Sequence, residues 1–130
     1  MSRYAINSKK LPKAGPYSHA VAVKGLVYFS GQVGLDPKTG KLVGPDITSQ
    51  TKQTFKNIAV ALKEADCDFD DVIKVNVFLA DMNDFAGMNA VMAEVFEEPY
   101  PARTTIGVAA LPLGAKVEIE IVCENGPLTP

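Results

Sequence analysis

The chain has 130 residues, of which 47% are hydrophobic and 22% charged, and its formal net charge at pH 7 is −2. A chain of this length buries roughly two-thirds of its unfolded surface in one core, so we predict a single domain over residues 1–130. The slight negative charge offers no positive field to a phosphate backbone, and no apolar run is long enough to span a bilayer. Neither nucleic acid nor a membrane is therefore an expected partner.

The first third of the chain predicts a β-hairpin followed by a loop. Residues 20–23 and 26–33 are strand-like runs separated by a Lys-Gly pair, whose glycine can take a positive φ. A segment rich in turn residues over 36–45 leads to a helix that Asp46 or Thr48 can cap.

The next segment predicts a helix and then a buried strand. Between Ile47 and Ala65, five residues recur at steps of three and four and so share one helical face. After an acidic turn at 66–71, the β-branched run 72–79 predicts a largely buried strand. The residues of the helical face are Thr51, Phe55, Ile58, Leu62 and Ala65.

A second helix and two further strands complete the pattern. Asp81 or Asn83 can cap this helix, which must end before Pro99 because proline cannot continue it. Segments 104–109 and 116–123 predict strands around a Leu-Pro-Leu-Gly turn. The apolar face of the helix consists of Phe85, Met88, Met92 and Val95.

The order β-β-α-β-α-β-β predicts an α+β fold, a two-layer sandwich in which two helices cover one face of a mixed sheet. The strands carry apolar residues at both odd and even positions, so the second face of the sheet should be partly apolar. An apolar sheet face left in water favours association. We therefore expect a closed homo-oligomer.

Arg103 is a candidate for binding a small organic acid. It follows the stiff segment Tyr100-Pro101-Ala102 at the start of a strand, so the backbone fixes where its side chain points. A guanidinium offers a planar fork of donors that matches a carboxylate. Taken alone, the segment is more typical of a surface salt bridge.

Glu118 and Glu120 share one face of the last predicted strand, because strand side chains alternate and the intervening residues are apolar. Paired carboxylates can act as acid and base. Residues two apart on a half-exposed strand more often form its solvated side.

The remaining residues offer no cofactor or metal site. His19 has no nucleophile or carboxylate placed beside it, so a structural or peripheral role is expected. Neither a Walker A nor a GxGxxG pattern occurs, which argues against nucleotide cofactors. Cys67 and Cys123 form no CxxC pair, and the N-terminus lacks a secretory apolar region. We expect reduced thiols, no metal and a cytoplasmic location.

Several segments spread over nearly the whole chain resemble the RidA/YjgF family. The element Pro101-Ala102-Arg103, followed fifteen residues later by Glu118, resembles the family signature most closely. The other matching segments are Gly15-Pro16-Tyr17-Ser18, Ser30-Gly31-Gln32, Asp36-Pro37-Lys38-Thr39-Gly40, Asn83-Asp84-Phe85, Asn89 and Val117-Glu118-Ile119-Glu120.

The resemblance implies a chorismate-mutase-like α+β fold, assembled as a homotrimer with clefts at the subunit interfaces. It also implies hydrolysis of reactive enamines and imines, such as 2-aminoacrylate and 2-iminobutyrate, to 2-keto acids and ammonia. No cofactor takes part in this reaction.

Position by position, the resemblance implies that Arg103 binds the substrate carboxylate and that Glu118 activates the attacking water. Thr105 stands where several bacterial members carry Cys, which excludes thiol chemistry there, although its backbone N–H can still reach a carboxylate. The resemblance gives Glu120 a structural role. The positions that line the family pocket are Tyr17, Ser30, Gly31 and Asn89.

Three other functions compete with this interpretation. A binding or regulatory protein for a keto or amino acid would use Arg103 but would gain nothing from Glu118, because a carboxylate repels an anionic ligand. Ribonuclease or translation-inhibitor activity is opposed by the acidic balance of the chain. Chorismate mutase activity would rest on fold likeness alone.

Overall fold

Alternating apolar residues build a mixed sheet against which two helices pack. The computed structural model describes residues 3–124 and contains, over that range, nine strands and two α-helices. The helices are α1 (Ile47–Glu64) and α2 (Phe85–Val95). The strands are β1 (Tyr4–Ile6), β2 (Ala20–Val23), β3 (Leu26–Phe29), β4 (Gln32–Val33), β5 (Leu35–Asp36), β6 (Lys41–Leu42), β7 (Val72–Leu79), β8 (Ala102–Gly107) and β9 (Val117–Glu124).

The main sheet has the strand order β1-β2-β3-β9-β7-β8, with β4 paired to β9 beyond the end of β3. β7 and β8 are parallel because α2 carries the chain back across the sheet between them. The other neighbouring strands of this sheet are antiparallel. β5 and β6 form a separate two-stranded ribbon.

The core lies between the helices and one face of the sheet. Along β9, and along β7 from Val75 onward, every second residue is buried, as strand alternation requires; a register shift between Val72 and Lys74 interrupts the alternation at the start of β7. The predicted face of α1 is buried in this core, and its N-terminus is capped by Asp46, whose carboxylate accepts a hydrogen bond from the backbone N–H of Ser49 at 2.9 Å. Three phenyl rings pack edge to face at centroid distances of 5.5 to 6.2 Å, and they belong to Phe55, Phe69 and Phe96.

The opposite face of the sheet carries no helix in residues 3–124. It mixes polar side chains with apolar ones, among which Tyr28 is 51% exposed and Ile106 is 45% exposed. The prediction of a partly apolar uncovered face is therefore confirmed, as is the two-layer α+β fold. Neither helix is long and apolar enough to cross a membrane.

The predicted strand over 26–33 is interrupted at residues 30 and 31, between β3 and β4. β3 ends at Phe29, because the backbone N–H of Ser30 donates to the carbonyl of His19 at 3.0 Å and its hydroxyl donates to the carbonyl of Ser18 at 2.6 Å. The chain resumes as strand β4, whose pairing with β9 is shifted by one residue relative to the pairing of β3 with β9. Two features were not predicted. One is strand β1 near the N-terminus, and the other is the β5–β6 ribbon at the predicted loop over 36–45.

The C-terminal strands also differ from the prediction. β8 covers Ala102–Gly107 rather than 104–109, and it pairs with β7, so that β8 and β9 flank β7 instead of neighbouring each other. Asp81 caps the short 3₁₀ turn Met82–Asp84 and not α2, while Asn83 lies inside that turn. The N-cap position of α2 is taken by Asp84, which makes no side-chain capping bond. Thr48, the alternative cap for the first helix, lies inside α1.

Candidate functional site

Arg103 is held against α2 before any ligand binds. One guanidinium nitrogen, Nη1, donates to the side-chain oxygen of Asn89 at 2.6 Å and lies 3.5 Å from the sulfur of Met92. The guanidinium carbon lies 5.4 Å from the centre of the Phe85 ring, which is cation–π distance. Neither of the two remaining nitrogens, Nη2 and Nε, forms a hydrogen bond or ion pair with residues 3–124, so both are available for a second partner.

A cleft of about 390 Å³ opens beside this guanidinium. Arg103 and Asn89 contribute polar side chains to it, and its surface is largely apolar. A cleft of this kind suits a small organic anion, because one charged fork fixes the orientation while the apolar wall excludes water. The other lining residues are Met92, Ala93, Phe96, Tyr100 and Pro101.

Thr105 lies two residues after Arg103 on β8 and therefore on the same side of the strand. Its hydroxyl oxygen is buried and has no hydrogen-bond partner among residues 3–124. It does not line the cleft beside Arg103. A buried hydroxyl without a partner is uncommon in proteins, which marks this position as a polar group still to be satisfied.

Glu118 projects from β9 on the face opposite the core, because its neighbours Val117 and Ile119 are completely buried. Partial burial raises the pKa of its carboxyl, and the nearby carboxylate of Glu120 raises the pKa further. Glu120 itself accepts a hydrogen bond from the side-chain amide of Asn76 at 3.1 Å. A carboxylate with a raised pKa is a stronger base than an exposed one.

A second cleft, of about 380 Å³, contains Glu118 together with Tyr17 and Gly31. Gly31 permits a close approach: a β-carbon placed there would stand 2.5 Å from a carboxylate oxygen of Glu118. The hydroxyl of Tyr17 accepts a hydrogen bond from the backbone N–H of Ala14 at 3.4 Å. Ser30 lies beside Gly31, and its hydroxyl bonds backbone rather than facing the cleft.

The predicted site residues thus form two separate groups. Arg103 and Asn89 lie in the first cleft, on the helix side of the edge strand β8. Glu118, Tyr17 and Gly31 lie in the second cleft, and the Glu118 side chain points to the uncovered side. In the strand register, Glu118 is opposite Phe78, which in turn is opposite Ile106, three residues beyond Arg103. Within one chain, the guanidinium and the carboxylate cannot contact the same small molecule.

Phe85 and Met92, which hold the guanidinium, were predicted only as core-facing residues of a helix. Phe85, Asn89 and Met92 are spaced by four and three residues, so they share a helical stripe. A lone amide within that apolar stripe was the signal that this part of the helix meets a polar partner. The position of Arg103 beneath it depends on the parallel pairing of β7 and β8, which local patterns do not reveal.

Thiol and metal chemistry find no built site in the described part of the chain. Burial is the main cause that raises the pKa of both Cys67 and Cys123, and the nearby carboxylate of Asp71 adds to it in each case. Raised thiol pKa values keep these groups protonated and weakly nucleophilic. Among residues 3–124, no three His, Cys, Asp or Glu side chains are grouped so as to hold a metal ion.

The architecture assigns the chain to the class of two-layer α+β sandwiches, in which two helices cover one face of a mixed sheet. A family model described as "Endoribonuclease L-PSP" matches residues 7–125. The human 2-iminobutanoate/2-iminopropanoate deaminase is 47% identical over 98% of this chain and 93% of its own length. The chain belongs to the RidA/YjgF family.

Solved structures agree with this assignment. The crystal structure of RidA from an Antarctic Psychrobacter is 44% identical, with a TM-score of 0.88 over 93% of this chain and 98% of that one. The structure of Escherichia coli TdcF with bound serine is 34% identical, with a TM-score of 0.86 over 93% of this chain and 98% of that one.

Proposed function

We propose that this protein hydrolyses 2-imino acids and their enamine tautomers to 2-keto acids and ammonia, with Arg103 binding the substrate carboxylate and Glu118 activating the attacking water. The observation that carries the proposal is the pair of complementary half-sites. One presents a preset guanidinium in an apolar cleft, and the other presents a carboxylate of raised pKa beside a glycine.

Arg103 is suited to bind a carboxylate because its orientation is fixed in advance. Asn89 and Met92 occupy Nη1, which leaves the edge formed by Nη2 and Nε for two parallel hydrogen bonds to an anion. Preorganisation reduces the entropy lost on binding. Binding of the substrate carboxylate to Arg103 thereby fixes the imine carbon at a defined distance from the guanidinium.

Glu118 supplies the acid–base chemistry. In its ionised form it accepts a proton from water while the water oxygen adds to C2 of the protonated imine, whose C=N π electrons move to nitrogen, so that a neutral carbinolamine forms. The protonated Glu118 then returns that proton to the amine nitrogen. As the C–N bond breaks, Glu118 takes the proton of the hydroxyl group, which becomes the keto group, and passes it to the departing ammonia, so that ammonium and the 2-keto acid leave and Glu118 is ionised again. A raised pKa suits both steps, because one group must accept the proton and then release it.

A complete site needs two chains. Because Arg103 and Glu118 lie on opposite sides of the sheet in one protomer, the substrate must lie between Arg103 of one copy and Glu118 of another. The partly apolar uncovered face provides the surface on which copies associate. We propose a homotrimer with a substrate site at each of its three interfaces. In this cyclic arrangement each chain contacts the next in the same way, and the third chain closes the ring.

The relatives support the choice of substrate. The human relative is named a 2-iminobutanoate/2-iminopropanoate deaminase, and E. coli TdcF was crystallised with serine, a small amino acid that carries a carboxylate next to a nitrogen. Serine and the 2-imino acids share the charge pattern that an arginine fork and an opposing carboxylate would recognise. The family model is described as an endoribonuclease, but the formal net charge of −2 disfavours an RNA backbone as the substrate.

The test is activity in mixed oligomers. Arg103→Ala and Glu118→Gln should each nearly abolish turnover of 2-iminobutanoate generated by an amino-acid oxidase. Refolding the two inactive variants together in equal amounts should restore activity, because about one site in four then pairs an intact Arg103 with an intact Glu118. If the mixture stays inactive while its trimers form, the two residues do not share a site across chains. If the unmodified protein accelerates no imine, a binding role replaces the deaminase proposal.

A further inference from the structure

His19 is a buried histidine that lines neither cleft, and both of its ring nitrogens are engaged by backbone groups. It is 2% exposed. Nδ1 lies 3.0 Å from the backbone nitrogen of Ser8, and Nε2 lies 3.0 Å from the carbonyl oxygen of Pro12. Because the Ser8 amide can only donate and the Pro12 carbonyl can only accept, Nδ1 is the acceptor and Nε2 carries the hydrogen.

The main chain of His19 makes two more connections. Its N–H donates to the side-chain oxygen of Asn7 at 3.1 Å, and its carbonyl accepts from the backbone N–H of Ser30 at 3.0 Å. The adjacent carbonyl of Ser18 accepts from the Ser30 hydroxyl at 2.6 Å. His19 therefore joins the segment 7–12 on one side to the Ser30–Gly31 step on the other.

The segment that His19 holds has no regular structure of its own. Residues 7–19 form neither helix nor strand, so we call them the N-terminal arm. Pro12, Ala14 and Tyr17 of this arm line the cleft that contains Glu118. Without a strand or helix ladder, the shape of the arm depends on side-chain hydrogen bonds, and those of His19 reach it at three residues.

We propose that His19 is a positioning residue that holds the N-terminal arm over the Glu118 cleft and fixes its wall against the Ser30–Gly31 step. This role rests on the proposed function, in which the arm aligns water and substrate with Glu118. His19 acts through Tyr17 and Gly31 and touches no reacting atom. Its closed hydrogen-bond set leaves no nitrogen to exchange a proton with substrate.

The decisive comparison is between His19→Gln and His19→Leu. A glutamine amide carries an acceptor oxygen and a donor nitrogen, so it can replace both ring contacts, whereas leucine keeps the bulk and loses both. We expect His19→Leu to lower kcat by about 100-fold, because a wall displaced by about 1 Å misaligns the water. KM should change less in His19→Leu, since Arg103, which binds the substrate carboxylate, lies in the other cleft. His19→Gln should keep most of the activity.

Tryptic cleavage of the arm provides a readout that is independent of catalysis. Lys9, Lys10 and Lys13 are exposed on the arm, and cleavage there requires the backbone to leave its bonded conformation. Cleavage at these residues should be faster in His19→Leu than in the unmodified protein and close to normal in His19→Gln. Asn7→Ala removes one of the four bonds and should shift both readouts in the same direction, which keeps the test available if His19→Leu does not fold.

Leu62→Ala is the matched control, because it destabilises the core from α1 at a residue that is 1% exposed and contacts neither cleft. In folded protein it should leave kcat, KM and cleavage of the arm unchanged. Normal kinetics and normal cleavage in His19→Leu and Asn7→Ala would overturn the inference, as would equal effects from Leu62→Ala. If the unmodified protein hydrolyses no imine, the proposed function fails, and the trypsin result alone decides whether His19 holds the arm.

Discussion

Asn89 orients Arg103, so removing its amide should weaken substrate binding without unfolding the protein. The bond from Nη1 to the Asn89 oxygen is short, at 2.6 Å, and it involves a charged donor. Such bonds contribute about 1.5 to 3 kcal/mol. Both side chains are exposed, so the lower end applies to Asn89→Ala, and about 1.4 kcal/mol corresponds to a tenfold effect.

We therefore expect Asn89→Ala to lower kcat/KM for 2-iminobutanoate by about tenfold, chiefly through KM, because the carboxylate is bound in both the ground state and the transition state. Asn89→Asp keeps the acceptor but adds a negative charge that competes with the substrate, so its KM should rise further. Initial rates over a range of imine concentrations measure both constants, and thermal unfolding checks the fold.

A double-mutant cycle with Arg103→Ala tests the reasoning directly. If Asn89 acts through the guanidinium, Asn89→Ala should have little further effect once Arg103 is gone. An undiminished tenfold loss in that background would show that Asn89 contacts the substrate itself. Parental kinetics in the single variant would show that the guanidinium needs no such support.

Two further predictions concern Glu118. Burial and the charge of Glu120 raise the pKa of Glu118, so activity should fall on acidification at a higher pH than an ordinary glutamate would give. Glu120→Gln removes the second of these causes. It should therefore move the acid limb of the pH–kcat/KM profile to lower pH. An unmoved limb would mean that another group governs it. Gly31→Ala should displace the Glu118 carboxylate, which a β-carbon would meet at 2.5 Å, and lower kcat by about 100-fold with the fold retained. Normal kcat in that variant would show that Glu118 tolerates the displacement.

Local patterns in the sequence were sufficient for most of the fold. The apolar faces of both helices and the buried run 72–79 were predicted from periodicity, because burial against one sheet face imposes that spacing. The break at Ser30 was not predictable in this way. It depends on hydrogen bonds to Ser18 and His19, which are distant in sequence and adjacent only after the β2–β3 hairpin has formed.

The candidate site was predictable as a set of residues but not as an arrangement. Family resemblance selected Arg103 and Glu118, and it says nothing about which face of the sheet each one occupies. That placement follows from strand order, since β8 lies beyond β7 and contributes Arg103 toward α2. His19 shows the reverse case: its burial and four bonds come from the fold of the arm, whereas its sequence neighbours carry no sign of them.

The placement of Arg103 and Glu118 on opposite sides of the sheet also prevents them from neutralising each other. An arginine and a glutamate within reach on one chain would form an ion pair, and a substrate anion would then have to break it before binding. Among residues 3–124 the recorded ion pair is instead between Lys116 and Asp84, at 3.9 Å. The chain therefore folds with the Nη2–Nε edge of Arg103 and the carboxylate of Glu118 both free of an ion pair among these residues, because the sheet separates the two side chains.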